Sequence, residues 1–191
     1  MKTELEATFL NIDKSLLREK LKQKGAELAK PEFLQKRTVF RFPRGHEIEN
    51  GWVRVRDEGD KVTMSVKVIQ GKTIENQKES CIVVDNYSES VEFLKTIGCT
   101  EKSYQETKRE LWILNGCEVT IDEWPFLEPF TEIEGSSEDA IREVSELLEF
   151  DYSTAFFGAA GSLIAEKYNI SEDRVNNHTP LIRFDMENPF L

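Results

Sequence analysis

The segment from Trp52 to Val68 reads WVRVRDEGDKVTMSVKV. Trp52, Arg54 and Arg56 alternate with Val53 and Val55, and Lys61, Thr63, Ser65 and Lys67 alternate with Val62, Met64, Val66 and Val68. A period of two is the signature of a strand with one polar and one apolar face. Glu58-Gly59-Asp60 between the runs is a turn, so the pair reads as a β-hairpin. The polar face of this hairpin is strongly cationic, and it sets the question of what lies opposite it.

The same periodicity extends in both directions. Thr3 to Leu10 places Glu4, Glu6 and Thr8 on one face and Leu5, Ala7 and Phe9 on the other. Further strands are expected over Lys36–Phe42, Lys78–Val84, Lys108–Leu114, Cys117–Trp124 and Phe130–Glu134. Asn115-Gly116 marks a tight hairpin between Lys108–Leu114 and Cys117–Trp124. Helices are expected from an Asp13 cap to about Lys24, over Ser88–Ile97, from Ser136 or Ser137 to Glu149, and over Ser153–Tyr168. Asn169 to Leu191 has no clear period. The count is seven or eight mostly antiparallel strands with several helices. The 191 residues carry no repeat or linker and predict a single domain over 1–191, with a C-terminal helix and tail at about 153–191.

Composition excludes several classes. Hydrophobic residues are 39% and charged residues 32%, which is globular. No apolar run reaches the roughly 20 residues of a membrane helix, and the N-terminus lacks the apolar core of a signal peptide. Three cysteines, Cys81, Cys99 and Cys117, without a CxxC pair predict free thiols in a cytoplasmic protein. The net charge of −11 argues against nucleic acid as a partner. The charge is unevenly spread. Lys36–Lys67 holds eight basic and five acidic residues, whereas Cys117–Asp151 holds twelve acidic residues and one basic, Arg142.

The strand parities give that asymmetry chemical content. Glu4-x-Glu6 and Glu132-x-Glu134 each put two carboxylates on one strand face, and Asp122 lies on a third strand. Oxygen donors of this kind suit a hard cation such as Mg²⁺. Arg54-x-Arg56, with Lys67 on the partner strand, presents guanidinium forks to phosphate oxygens. Cations and carboxylates can share one interior only if they compensate each other and water solvates the rest. A closed antiparallel barrel filled with water meets that condition. The expected fold class is therefore α+β: an eight-stranded antiparallel β-barrel, or tunnel, with helices packed on the outside. His46 and His178 have no ligand neighbours, Cys81 reads as a packing residue, and Gly158–Gly161 (GAAG) falls within a helical pattern rather than in a phosphate loop.

The order Glu4-Leu5-Glu6, Trp52-Val53-Arg54-Val55-Arg56, Lys67, Lys108-Arg109-Glu110, Ile121-Asp122 and Glu132-Ile133-Glu134-Gly135 resembles the CYTH domain of the triphosphate tunnel metalloenzyme superfamily. That superfamily includes class IV adenylate cyclases, thiamine triphosphatases and inorganic triphosphatases. The resemblance spans residues 2 to 170. It implies Mg²⁺ or Mn²⁺ held by Glu4, Glu6, Glu132 and Glu134 with Asp122 assisting. It implies phosphates bound by Arg54, Arg56, Lys67 and Arg109, with Lys108 beside them and Glu79 as a further tunnel glutamate. Glu4, Glu6, Arg54, Arg56 and Lys67 are the expected catalytic set. The implied activity is hydrolysis of inorganic or organic triphosphate, with ATP cyclisation to cyclic AMP and pyrophosphate, or triphosphate binding without turnover, as alternatives. The implied partner is a small-molecule triphosphate such as inorganic triphosphate, thiamine triphosphate or ATP, with no membrane and a monomer or homodimer. Two positions depart from the family pattern. Thr8 stands where ExExK has lysine, and Thr107 where Lys-x-Arg has lysine, which predicts a bore poorer by two cations.

Overall fold

A computed structural model describes residues 1–191. Nine strands are present: β1 (Lys2–Phe9), β2 (Glu27–Arg41), β3 (Gly51–Asp57), β4 (Val62–Ile69), β5 (Gln77–Val84), β6 (Thr100–Leu114), β7 (Cys117–Glu123), β8 (Thr131–Gly135) and β9 (Leu181–Ile182). Five helices accompany them: α1 (Lys14–Gln23), α2 (Tyr87–Thr96), α3 (Glu138–Leu147), α4 (Ala160–Tyr168) and α5 (Glu172–His178). The strands follow the order β2-β3-β4-β5-β1-β8-β7-β6, and pairing of β2 with β6 closes the ring. All eight are antiparallel to their neighbours; the short β9 adds parallel to β6 at Tyr104 and Gln105. The expected eight-stranded antiparallel barrel with outer helices is thus the observed fold.

Local chemistry explains the elements. The Asp13 carboxylate accepts the Ser15 and Leu16 N–H groups at 2.8 and 3.0 Å and starts α1, and the Ser137 hydroxyl caps α3 through Ala140. Asn115 and Gly116 both have positive φ, 49° and 79°, the backbone that a two-residue hairpin turn needs. In the β3–β4 turn, Asp57 accepts the Gly59 N–H at 2.8 Å.

The apolar strand faces point outward, not into the barrel. Ala7, Phe9, Val119, Ile121 and Ile133 pack under Leu17 and Leu21 of α1 and Ile141, Val144 and Leu148 of the α3 region. Phe40, Val53 and Val55 pack under Leu94 and Cys99 on the α2 side. A third cluster joins Ile164 and Ala165 of α4, Val175 of α5, Ile182 of β9 and Phe190. With their apolar faces covered by helices, the strands turn their polar faces to the interior.

The structure corrects four expectations. β2 and β6 each run 15 residues, far beyond the expected 36–42 and 108–114. The added part of each strand pairs with the expected part of the other, and three register shifts run along this seam, so neither shows a clean local period. The helix expected over 153–168 is broken. Phe156 exchanges backbone hydrogen bonds with Thr8 (3.2 and 2.9 Å), which holds that stretch extended, and α4 starts only at Ala160. The tail forms α5 and β9 instead of running irregularly. Cys81, expected to pack, is exposed. No helix is long and apolar enough to cross a membrane.

Ile133 is fully buried between the barrel wall and the helices. Ile133→Ala should cost about 2–4 kcal/mol through the lost contacts and the cavity left behind. Urea unfolding followed by circular dichroism measures this; a cost below about 1 kcal/mol would mean that this face is not packed as described.

Candidate functional site

The barrel encloses a cavity of about 450 Å³. Glu4, Glu6, Arg54, Arg56, Lys67, Glu79, Arg109, Glu132 and Glu134 all line it, because each occupies the inward parity of its strand. Asp122 is also turned inward and is almost fully buried. Lys108 is the exception. It lies in straight register opposite Glu123, without a bulge, and its ammonium pairs with Glu123 at 3.2 Å outside the barrel and sits 4.7 Å from the Phe184 ring. The expected phosphate contact from Lys108 is therefore replaced by an outer-surface ion pair.

Ring order separates the charges. β6, β2, β3 and β4 are consecutive around the barrel and carry Arg109, Arg37, Arg54 with Arg56, and Lys67. β5, β1, β8 and β7 complete the circle and carry Glu79, Glu4 with Glu6, Glu132 with Glu134, and Asp122. One half of the wall is cationic and the other half is carboxylate. The two meet at the seams. Lys67 reaches Glu4 at 2.9 Å and Glu6 at 3.5 Å, and Arg54 donates to Glu79 at 2.9 Å. Arg109 grips Asp122 with two bonds (2.7 and 3.0 Å) and Glu132 with a third (2.6 Å). Arg56 pairs with Glu58 of the adjoining turn at 2.8 Å.

The carboxylate half is crowded. Glu6 and Glu118 each lie in register with Glu134. Burial, followed by the charges of Glu6 and Glu118, pushes the Glu134 carboxyl up to about 7. Burial and a hydrogen bond with Glu79 push Glu4 to about 8. Glu79 is held low despite its own burial, by that hydrogen bond and by the Arg54 guanidinium. Lys67 is held protonated above its ordinary range: burial opposes this, and the charges of Glu6 and Glu4 outweigh it. Crowded, all-oxygen donors with raised carboxyls fit a hard divalent cation, whose charge would replace those protons. As the side chains stand, no three carboxyls meet at one point, since Lys67 and Arg109 draw them to the seams. Asp122 in particular is engaged by Arg109 and the Thr120 hydroxyl.

Several lining residues escaped the sequence reading. Arg37, Gln35, Phe33, Trp124, Lys102 and Gln105 face the cavity, and so do Gly158–Gly161. Arg37 had a usable signal, the shared parity with Val39 in an expected strand. Lys102 had none, because a register shift beside it, between Val39 and Phe40, turns it toward the cavity. The position at Thr107 is not without a cation, because the Arg37 guanidinium donates to the Thr107 hydroxyl from the neighbouring strand.

No family model and no curated protein sequence matches the chain. Solved structures do. A conserved hypothetical protein from Pyrococcus furiosus aligns over 80% of this chain and 94% of its own, at 20% identity and a TM-score of 0.66. A Vibrio parahaemolyticus protein described as a candidate adenylate cyclase aligns over 86% and 98%, at 10% identity and a TM-score of 0.72. The chain shares the fold of these structures, a closed eight-stranded antiparallel barrel. A protein from Hippeastrum, described as a candidate adenylyl cyclase with a dominant triphosphatase activity, aligns over 88% and 97%, at 11% identity and a TM-score of 0.57.

The raised carboxyls predict a pH dependence in metal-free protein. Glu134 and Glu4 hold protons in the folded state that they release at about 4.5 when unfolded. Their protonated forms therefore favour folding fully below that value, and the benefit is lost as pH rises through about 7 and 8. Thermal melts in EDTA should fall from pH 5 to pH 8, and Glu134→Gln should flatten the slope up to pH 7. An unchanged slope in that variant would contradict the crowding at Glu134.

Proposed function

We propose that this protein is a metal-dependent hydrolase of a small-molecule triphosphate, inorganic or organic. The observation that carries the reading is the division of one enclosed bore into a guanidinium-rich half and a carboxylate half. A linear polyphosphate needs cations along its length, and its reaction needs compensation where charge develops. Arg54, Arg56, Lys67 and Arg109 are the residues that bind and orient the phosphoryl oxygens. Asp122 acts through Arg109 as a positioning residue, since its two bonds fix the guanidinium plane. Glu4, Glu6, Glu132 and Glu134 would hold the divalent ion. When bound, Mg²⁺ or Mn²⁺ would supply Lewis-acid neutralisation of the phosphoryl oxygens. In the hydrolysis, a water oxygen forms a bond to the terminal phosphorus as the bridging P–O bond breaks, and the electron pair leaves on the diphosphate. The water proton passes to a carboxylate of the anionic wall. The narrow, walled bore keeps the attacking and leaving oxygens in line.

The triphosphatase described for the Hippeastrum protein of the same fold supports this reading. The second reading, cyclisation of ATP, draws on the description of the Vibrio protein. A panel with Mg²⁺ or Mn²⁺ and inorganic triphosphate, thiamine triphosphate or ATP separates them. Phosphate release supports hydrolysis; cyclic AMP with pyrophosphate supports cyclisation. Thermal stabilisation by substrate with no product would favour a binding protein and end the enzyme reading.

Glu6→Ala or Glu134→Ala should lower turnover by at least about 10³-fold, as expected for loss of metal-holding groups; retained activity would refute their role. Arg109→Ala should likewise cost at least about 10²-fold, by losing the hydrogen bonds of a charged group to the phosphates. Lys108→Ala should leave kcat/KM within about threefold, because its charge lies outside the wall. Steady-state phosphate release on the four variants decides between these outcomes.

A further inference from the structure

The geometry points to Arg37 as an anion-binding residue of the bore, placed at the centre of the cationic wall to take a phosphoryl group of the substrate. β2 lies four strands from β1 in either direction round the ring, so Arg37 stands on the wall diametrically opposite Glu4 and Glu6. It is in register with Arg56 on one side and Gln105 on the other.

This position explains its contacts. Lys67, Arg54 and Arg109 find carboxylates at the seams and Arg56 finds one in its turn, but Arg37 has no carboxylate within ion-pair distance. Its Nη2 donates to the Gln35 carbonyl at 2.9 Å and to the Thr107 hydroxyl, and Thr107 in turn donates to Gln35 at 3.0 Å. Both partners are neutral. They fix the plane of the guanidinium and do not neutralise it. Nε is buried without any partner. The guanidinium carbon lies 4.8 Å from the Trp124 ring, which adds a second neutral support. The residue is only 7% exposed. A buried guanidinium among three other arginines and without a counter-ion is a costly arrangement. Burial and the charges of Arg54, Arg56 and Arg109 drive its affinity for the proton well below the usual arginine range, the same electrostatic need seen from another side. An anion in the bore removes that cost, and the held plane suits bidentate contact with phosphate oxygens.

The inference rests on the triphosphate reading for the identity of the anion. The test uses inorganic tripolyphosphate as the probe, with binding read separately from turnover. Titration calorimetry on metal-free protein should show Arg37→Gln weakening tripolyphosphate binding by about 10- to 100-fold, the range for losing hydrogen bonds to a charged group. Arg37→Lys, which keeps the charge and loses the fork, should recover part of that loss and provides the comparison should the glutamine variant not fold. Without ligand, the glutamine variant should melt no lower than wild type, since an uncompensated charge has gone; added tripolyphosphate should raise its melting temperature less. With metal, the variants should show a raised KM.

Wild-type affinity in both folded variants would overturn the role of Arg37, even if the wild-type protein hydrolyses triphosphate. Arg37-dependent binding by a wild-type protein that turns over no triphosphate would support the role while the hydrolase reading falls. A wild-type protein that binds no tripolyphosphate, with or without Mg²⁺ or Mn²⁺, overturns both.

Discussion

The structure depends on compensating charge inside a closed wall. A charged side chain removed from water costs several kcal/mol unless a partner and hydrogen bonds replace the solvent. This barrel turns at least nine charged side chains inward. It tolerates them because the cationic and carboxylate halves touch at two seams, where Lys67 and Arg54 on one side and Arg109 on the other bind acids of the opposite half. Away from the seams compensation is incomplete. Glu134 on the carboxylate side keeps a proton to higher pH, and Arg37 on the cationic side lacks a counter-ion. Both mark incomplete compensation, an excess of negative charge at one wall and of positive charge at the other.

That arrangement requires an inverted barrel. Apolar strand faces must be buried somewhere, and here α1, α2 and α3 bury them from outside. The helices thus supply the hydrophobic stability, and the bore is left free to be polar. The C-terminal segment closes the design from another direction. Phe156 pairs with Thr8 along β1, and the chain then brings Gly158–Gly161 and Asn176 to the cavity.

Much of this was legible in the residues. Clean alternation in β1, β3, β4 and β8 placed Glu4, Glu6, Arg54, Arg56, Lys67, Glu132 and Glu134 on polar faces, and Asn115-Gly116 marked a hairpin. Lys108, grouped with Arg109 by the resemblance, takes the opposite face because adjacent strand residues alternate. The outer halves of β2 and β6 were not legible. Each pairs with the expected half of the other strand across a seam that shifts register, so side-chain burial there follows no period. The broken 153–168 helix was hidden for a related reason: a backbone pairing with β1, distant in the chain, overrode a local helical pattern.

By itself, the amino-acid order determined which side chains share a strand face, since that follows from a backbone period of two. It could not determine which faces meet, because ring closure between β2 and β6 joins residues about seventy apart, such as Arg37 and Thr107. Only the folded barrel decided that Asp122 serves Arg109 and that Arg37 stands alone in the middle of the cationic wall. Ion pairing acts over a few ångströms of space, and distance along the chain carries no record of it.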